Sequence, residues 1–139
     1  IVKQVSVFVE NTVGRLADLT KILTDNNIDL KASTIAETVD FGILRCIVEE
    51  PEKTVKILVE NGFSASISEV TGVSLEDKPG GLHKVLAVLA EAGIAVNYIY
   101  STIKSAEGKA IIMMKTSDAA KAEEVLKASG VELAGADSF

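Results

Sequence analysis

The sequence is short of the residues on which much protein chemistry depends. Its 139 residues include one cysteine, Cys46, one histidine, His83, two prolines and no tryptophan. One Cys and one His cannot close a disulfide or complete a Cys/His zinc site, so no metal is expected. Cys46 lies in the strand-like run Phe41–Glu49, where a buried structural thiol is the ordinary outcome. A Ser-His-Asp triad would need His83, which follows Pro79-Gly80-Gly81-Leu82 at an expected helix start and reads as a solvated first-turn side chain. Long apolar runs are missing too. Ala110–Met114 and Val85–Ala90 fall far below the roughly 20 residues that cross a bilayer. No charged-then-apolar leader stands at the start, and a cytoplasmic location is the expectation.

Positive charge is scarce. Lys and Arg number 14 against 20 Asp and Glu, for a net charge of −6, and Arg15 and Arg45 are the only arginines. Nucleic-acid binders need a basic face to neutralise phosphates, and stacking needs aromatics. With four Phe and two Tyr, this chain offers neither, so nucleic acid and membranes are not expected partners. What is present is 47% hydrophobic and 24% charged residues, the balance of a folded chain long enough for one ordinary domain or two small ones.

The chain repeats itself. Val9-Glu10-Asn11-Thr12-Val13-Gly14-Arg15-Leu16 is echoed by Leu75-Glu76-Asp77-Lys78-Pro79-Gly80-Gly81-Leu82, with 66 residues between Gly14 and Gly80. The same interval carries Leu23 to Leu89, Ile28 to Ile94 and Gly42 to Gly108. It widens to 68 between Asn61-Gly62-Phe63 and Ser129-Gly130-Val131. Two copies are expected, over residues 1–69 and 70–139.

Each copy alternates period two with period 3.6. Val5, Val7 and Val9 mark a half-buried strand, and Leu16, Leu19, Ile22 and Leu23 a helix opened by Gly14 and ended by Asn26-Asn27. Ile28–Thr38 and Phe41–Glu49 read as a strand pair. Pro51 suits the start of a helix whose apolar members are Val55, Leu58 and Val59, and Phe63–Val70 alternates again. The second copy repeats the order through Val73 and Leu75, Leu82–Leu89, Ala95–Ile103, a hairpin through Ala106-Glu107-Gly108, Lys109–Lys115, Ser117–Ala128 and a strand from Val131. This β-α-β-β-α-β order predicts an α+β fold of two ferredoxin-like repeats, each an antiparallel sheet with helices on one face.

The two glycine turns carry the strongest functional signal. Each joins a strand to a helix, leaving first-turn N–H groups that attract an anion. Glycine alone would serve merely to make a tight turn, but Asn11 and Asp77 stand three residues before it in each copy. No G-x-x-x-x-G-K-[ST] or G-x-G-x-x-G occurs, and Asp77 would repel polyphosphate, so no nucleotide or other cofactor is expected. A zwitterion fits better, its carboxylate at the turn and its ammonium at Asn11, Asp29 or Asp77.

Glu10-Asn11-x-x-Gly14-Arg15-Leu16 and Glu76-Asp77-x-Pro79-Gly80-Gly81-Leu82, with Asn27-Ile28-Asp29 and Gly93-Ile94-Ala95, resemble the ACT domains, small regulatory modules that bind amino acids. The chain is similar to stand-alone proteins with two such repeats. The resemblance implies a side-by-side pair forming an extended antiparallel sheet, and amino-acid sites where one module's turn meets another's second strand. It carries the ligand-binding role to Asn11, Thr12, Val13, Gly14, Arg15, Leu16 and Asp29 in the first copy. In the second copy it falls on Asp77, Lys78, Pro79, Gly80, Gly81 and Leu82. Ala95 stands there in place of the polar strand residue, with Asn97 and Tyr98 as substitutes, and Val13 stands where the family has Pro. Two unequal sites are therefore expected.

A homo-oligomer, in the first instance a dimer, or a regulated enzyme is the expected partner. Ala110–Met114 is apolar on both faces whereas Arg45 takes the place of Ile111 in the first copy, so this back face is expected to pack on another chain or on the other sheet. Two other functions compete. A ligand-free interaction subunit would make Asn11, Asp29 and Asp77 incidental. An acyl-phosphate hydrolase would use Arg15 as phosphate clamp and Asn11 to position water, although the second copy has Gly81 in place of that Arg.

Overall fold

The computed structural model describes residues 1–103, 105, 107–135 and 138. The elements follow the alternating periods of the sequence: β1 (Val2–Glu10), α1 (Arg15–Asp25), β2 (Ala32–Glu37), β3 (Phe41–Ile47), α2 (Pro51–Glu60), β4 (Ser64–Glu76), α3 (Gly81–Glu91), β5 (Val96–Ser101), β6 (Lys109–Thr116), α4 (Ala119–Ala128) and β7 (Glu132–Ala134). They group into two compact units. One spans Lys3–Ser68, and the other runs from Glu69 onward and takes in Ile1 and Val2. β4 is a single 13-residue strand, and the division between the two units falls within it, between Ser68 and Glu69.

In the first unit the strand order is β2-β3-β1-β4. β1 and β3 are antiparallel, with Val5 opposite Cys46 and Val7 opposite Leu44. Val5, Val7, Val9, Leu44 and Cys46 share one face, against which Leu19 and Leu23 of α1 and Leu58 of α2 pack; Phe63 closes this core. Both helices therefore cover the same side, as a strand with every second residue apolar requires. In α2 the inward stripe is Thr54 and Leu58, while Val59 is half exposed. Val59 lies one residue, or 100°, beyond Leu58 around the helix and so turns off the core. Thr54 tolerates burial because its hydroxyl donates to the Glu50 carbonyl at 2.9 Å.

The second unit has the order β7-β4-β6-β5, again antiparallel. Val73, Met114, Val85, Leu89, Ala122 and Leu126 form its core under α3 and α4. Asp118 caps α4, its carboxylate accepting from the Lys121 N–H at 3.0 Å. On the opposite face of β6, Ile111 and Met113 are buried within the single chain, so these two residues need no second chain to cover them. The expected hairpin through Ala106 lies partly outside the described residues. Its Glu107 and Gly108 form a turn, with Gly108 at φ +74°.

Two strands begin later than their apolar patterns suggest. β2 starts at Ala32 rather than Ile28, so Asp29 precedes the strand instead of opening it. The reason is local: Asn27 takes a left-handed φ of 56°, and Ile28 folds back so that its N–H reaches the Leu23 carbonyl at 2.8 Å. Ile28 thus plugs the end of α1 and packs on the core as a helix-stop residue. Ile94 does the same after α3, its N–H reaching the Leu89 carbonyl at 2.9 Å, and β5 starts at Val96, one residue after Ala95.

Candidate functional site

The two glycine turns have one backbone design. Gly14 (φ 85°, ψ −11°) and Gly80 (φ 89°, ψ −11°) are both left-handed at the residue before the helix, a conformation that an L side chain resists by about 1–2 kcal/mol. Neither helix has a side-chain cap. The turns are tied down alike. The Asn11 N–H donates to the Asp40 carbonyl and that of Asp77 to the Gly108 carbonyl, both at 3.0 Å. Thr12 and Lys78 donate back to Glu10 and Glu76, and Asp18 and Lys84 to Gly14 and Gly80. Among the described residues the N–H groups of Leu16 and Ala17, and of Leu82 and His83, have no backbone acceptor. Each turn therefore presents two unclaimed donors at the positive end of a helix dipole, an arrangement that suits a carboxylate.

Around the first turn, Asn11, Thr12, Leu16, Ile35, Glu37 and Gly42 line a cavity of about 110 Å³ together with Val9 and Glu10. Gly42 keeps that space open, since a Cβ there would press to 3.3 Å on Ile35. The Asn11 side-chain N–H donates to the Val39 carbonyl at 3.4 Å, leaving its carbonyl oxygen for another partner. Val13 is fully exposed at the tip of the turn. Sequence reasoning missed Ile35 and Glu37: both follow from the alternation in β2, but that this strand passes beneath the turn is a long-range fact.

Arg15 points elsewhere. Its guanidinium lies 4.0 Å from the Phe63 ring centroid, in a separate cavity with Phe8, Phe41 and Gly62, and 4.0 Å from the Asp18 carboxylate. Arg15 and Asn11 thus line different cavities, and the amide-plus-guanidinium clamp of a phosphate-hydrolysing site is not assembled here. Asp29 also stands apart. It follows the C-terminal end of α1 and Asn11 precedes its start, with an 11-residue helix of about 16 Å between them. Asp29 is exposed and makes no ion pair among the described residues.

In the second repeat Asp77, Lys78, Pro79 and Gly80 are exposed, Gly81 is buried and Leu82 is half-buried. Gly81 has no alternative: a Cβ would stand 2.3 Å from the Glu76 carbonyl oxygen. Asn97 falls where the β5–β6 register shifts, between Val96 and Tyr98, and is exposed. Tyr98 stacks on Tyr100 at 6.4 Å between centroids, so its ring is engaged along its own strand. Among the described residues there is no group of three His, Cys, Asp or Glu able to hold a metal ion. No described helix is long and apolar enough to cross a membrane.

Two ferredoxin-like repeats in one chain, each with an uncapped glycine turn opening its first helix, define a tandem module of the regulatory class. The chain belongs to the ACT domain pair family, whose pattern matches residues 1–137. It is similar over 99% of its length to a protein from Bacteroides thetaiotaomicron of known crystal structure, at 42% identity and a TM-score of 0.92, covering 94% of that chain. The regulatory subunit of aspartate kinase from Thermus thermophilus, in its ligand-free form, shares the fold at 16% identity. Its TM-score is 0.68, with 92% of this chain and 90% of that one covered. The corresponding subunit from Thermus flavus matches over the same shares at 16% identity and a TM-score of 0.61. No curated protein matches the sequence.

Proposed function

We propose that this protein is a non-catalytic regulator that binds a free amino acid at its glycine turns and passes the binding event to a partner. The observation that carries the reading is the unclaimed N–H pair of Leu16 and Ala17 standing beside a cavity that also holds Asn11 and Glu37. The amino acid's carboxylate would take the two amides, and its ammonium the Asn11 carbonyl oxygen and the Glu37 carboxylate. In the second repeat Leu82 and His83 supply the amides and Asp77 the anionic partner, with Lys78, Pro79, Gly80 and Gly81 shaping the turn. Thr12, Val13 and Gly14 shape the first turn and Arg15 anchors it to Phe63. Asp29, at the far end of α1, would reach a ligand at Asn11 only from a second copy of the chain. Asn97 and Tyr98 would border the corresponding place in the second repeat.

Regulation follows from linkage. A ligand that bridges two modules favours the arrangement that brings them together, by as much as its affinities for the two arrangements differ. The likeness to regulatory subunits of aspartate kinase supports an enzyme of amino-acid metabolism as the regulated partner, in a cytoplasmic setting.

The test is thermal unfolding of the full chain against each of the twenty amino acids at millimolar concentration. A ligand at 100 times its Kd adds about 2.7 kcal/mol of stability, a plainly shifted midpoint. One or a few amino acids are expected to raise the midpoint, and Asn11→Ala to abolish the rise. A flat panel refutes the proposal. A second reading has its own observation: the Asn11 amide is already committed to Val39, and Val13 and Val39 stand exposed at the same end of the unit. A flat panel would favour that reading, a ligand-free subunit docking a protein there.

A further inference from the structure

Both repeats carry a cavity at one equivalent place, lined by neither Asn11 nor Asp77. In the first unit it measures about 180 Å³ and is lined by Glu10, Arg15, Gly62, Phe63 and Ser64 with two further phenylalanines. In the second it measures about 260 Å³ and is lined by Glu76, Gly81, Gly130, Val131 and Glu132, the repeat counterparts of those five. The occupants differ. Arg15 lays a cation of its own over Phe63 in the first cavity. Gly81 stands in its place in the second, and no side chain can replace it there without meeting the Glu76 carbonyl.

Lys78, Lys84 and Lys109 line the second cavity instead. Two carboxylates meet them, Glu76 paired with Lys78 and Glu132 3.6 Å from Lys109. Lys84 has no ion-pair partner among the described residues. Its field nevertheless reaches Glu76, whose carboxyl is held below the ordinary carboxylate range by the hydrogen bond and charge of Lys78, with Lys109 and Lys84 adding to the effect. The cavity thus holds three cations against two anions in a chain of net charge −6. The two carboxylates already offset Lys78 and Lys109, so one positive charge, that of Lys84, is left facing the concave space, where a small anion can meet it.

We propose that the second-repeat cavity is a separate binding site for a small phosphate-class dianion, held by Lys84 and Lys109 with Lys78 at its rim. Lys78 and Gly81 belong to both the turn and this cavity, whereas Asp77, Pro79, Gly80 and Leu82 do not line it, so Lys84 and Lys109 are the residues that set it apart from the amino-acid reading of the turn. Phosphate suits ammonium groups, which bind it as point charges without the planar fork that Arg would supply. The volume leaves room for a short carbon skeleton beside the phosphate.

The experiment is titration of the full chain with inorganic phosphate at pH 8, followed by amide chemical shifts, with sodium chloride holding ionic strength constant. Saturable shifts are expected at Ser74, Val85 and Glu132, with Kd raised about fivefold or more in Lys84→Gln and in Lys109→Gln. Both substitutions fall on solvent-accessible side chains, and unchanged midpoints without phosphate will show that both variants fold. Asn11→Ala should bind phosphate as the parent does, whatever the amino-acid panel shows. Tighter binding of glycerol 3-phosphate than of inorganic phosphate assigns the site to phosphate esters, and the reverse order to free phosphate. Shifts that match chloride alone, or an unchanged Kd in both lysine variants, overturn the proposal.

Discussion

Cys46 shows how far one side chain can be argued from its surroundings. Buried among Val5, Leu44 and Leu58, its thiol is pushed up from 9.0 to about 12 by loss of solvation. A thiol that keeps its proton is neither nucleophile nor metal ligand. A disulfide exchange reagent at pH 8 is therefore expected to leave Cys46 unmodified in the folded chain and to react fully once urea unfolds it. The sign of the pH dependence follows from the same shift. Between pH 9 and about 12 the unfolded thiol loses a proton that the folded one retains, so stability falls as pH rises, by about 1.4 kcal/mol per unit from this group. Cys46→Ala removes that part of the slope, and urea titrations of both proteins at pH 9 and 10.5 will measure it; parallel slopes would show that the thiol is solvated. Burial of Cys46 was legible in the sequence because a strand run surrounds it. The carbonyl that Asn11 serves was not, because Val39 lies 28 residues away across a hairpin.

Among the elements, β4 is the one on which the second repeat depends most closely. Gly72 faces Ala134 of β7, and a Cβ there would stand 2.5 Å from the Ala134 carbonyl oxygen and 3.2 Å from Met113. Backbone cannot yield as a flexible side chain does, so Gly72→Ala must push β7 off its strand. A loss of about 1–3 kcal/mol is expected, with fast hydrogen exchange at Leu133 and Ala134. Gly14→Ala makes the useful contrast. Nothing lies within 4 Å of its Cβ position, so its cost is the left-handed backbone alone, about 1–2 kcal/mol, with β7 protection intact. Protection of β7 lost equally in both variants would show that the strand frays on any destabilisation. The order of elements was readable because glycine stops separate the period-two and period-3.6 runs. Their edges were not. Ile28 and Ile94 fit strand and helix-stop roles equally by pattern, and only the left-handed Asn27 and Gly93 decide for the stop. The strand Ser64–Glu76 contains no turn residue pair, so the division between the two units falls inside one strand instead of in a linker.

For the whole molecule the decisive question is whether a ligand site is completed within one chain or by two. Glu37 shares a cavity with Asn11, whereas Asp29 lies beyond the other end of an 11-residue helix. If Glu37 holds the ammonium, Glu37→Gln and Asn11→Ala abolish the midpoint shift and Asp29→Ala leaves it. If Asp29 acts from a second copy in a symmetric dimer, Asn11→Ala and Asp29→Ala each abolish binding, yet their mixture regains it. Random exchange makes half the dimers mixed, and a mixed dimer has one intact site in two. Binding capacity should then return to about a quarter of the parent's, with the parent's Kd. The measurement is equilibrium dialysis, before and after partial unfolding and refolding of the two variants together, with the amino acid that the panel identifies. The 16 Å helix makes the second arrangement the only way for Asn11 and Asp29 to serve one ligand.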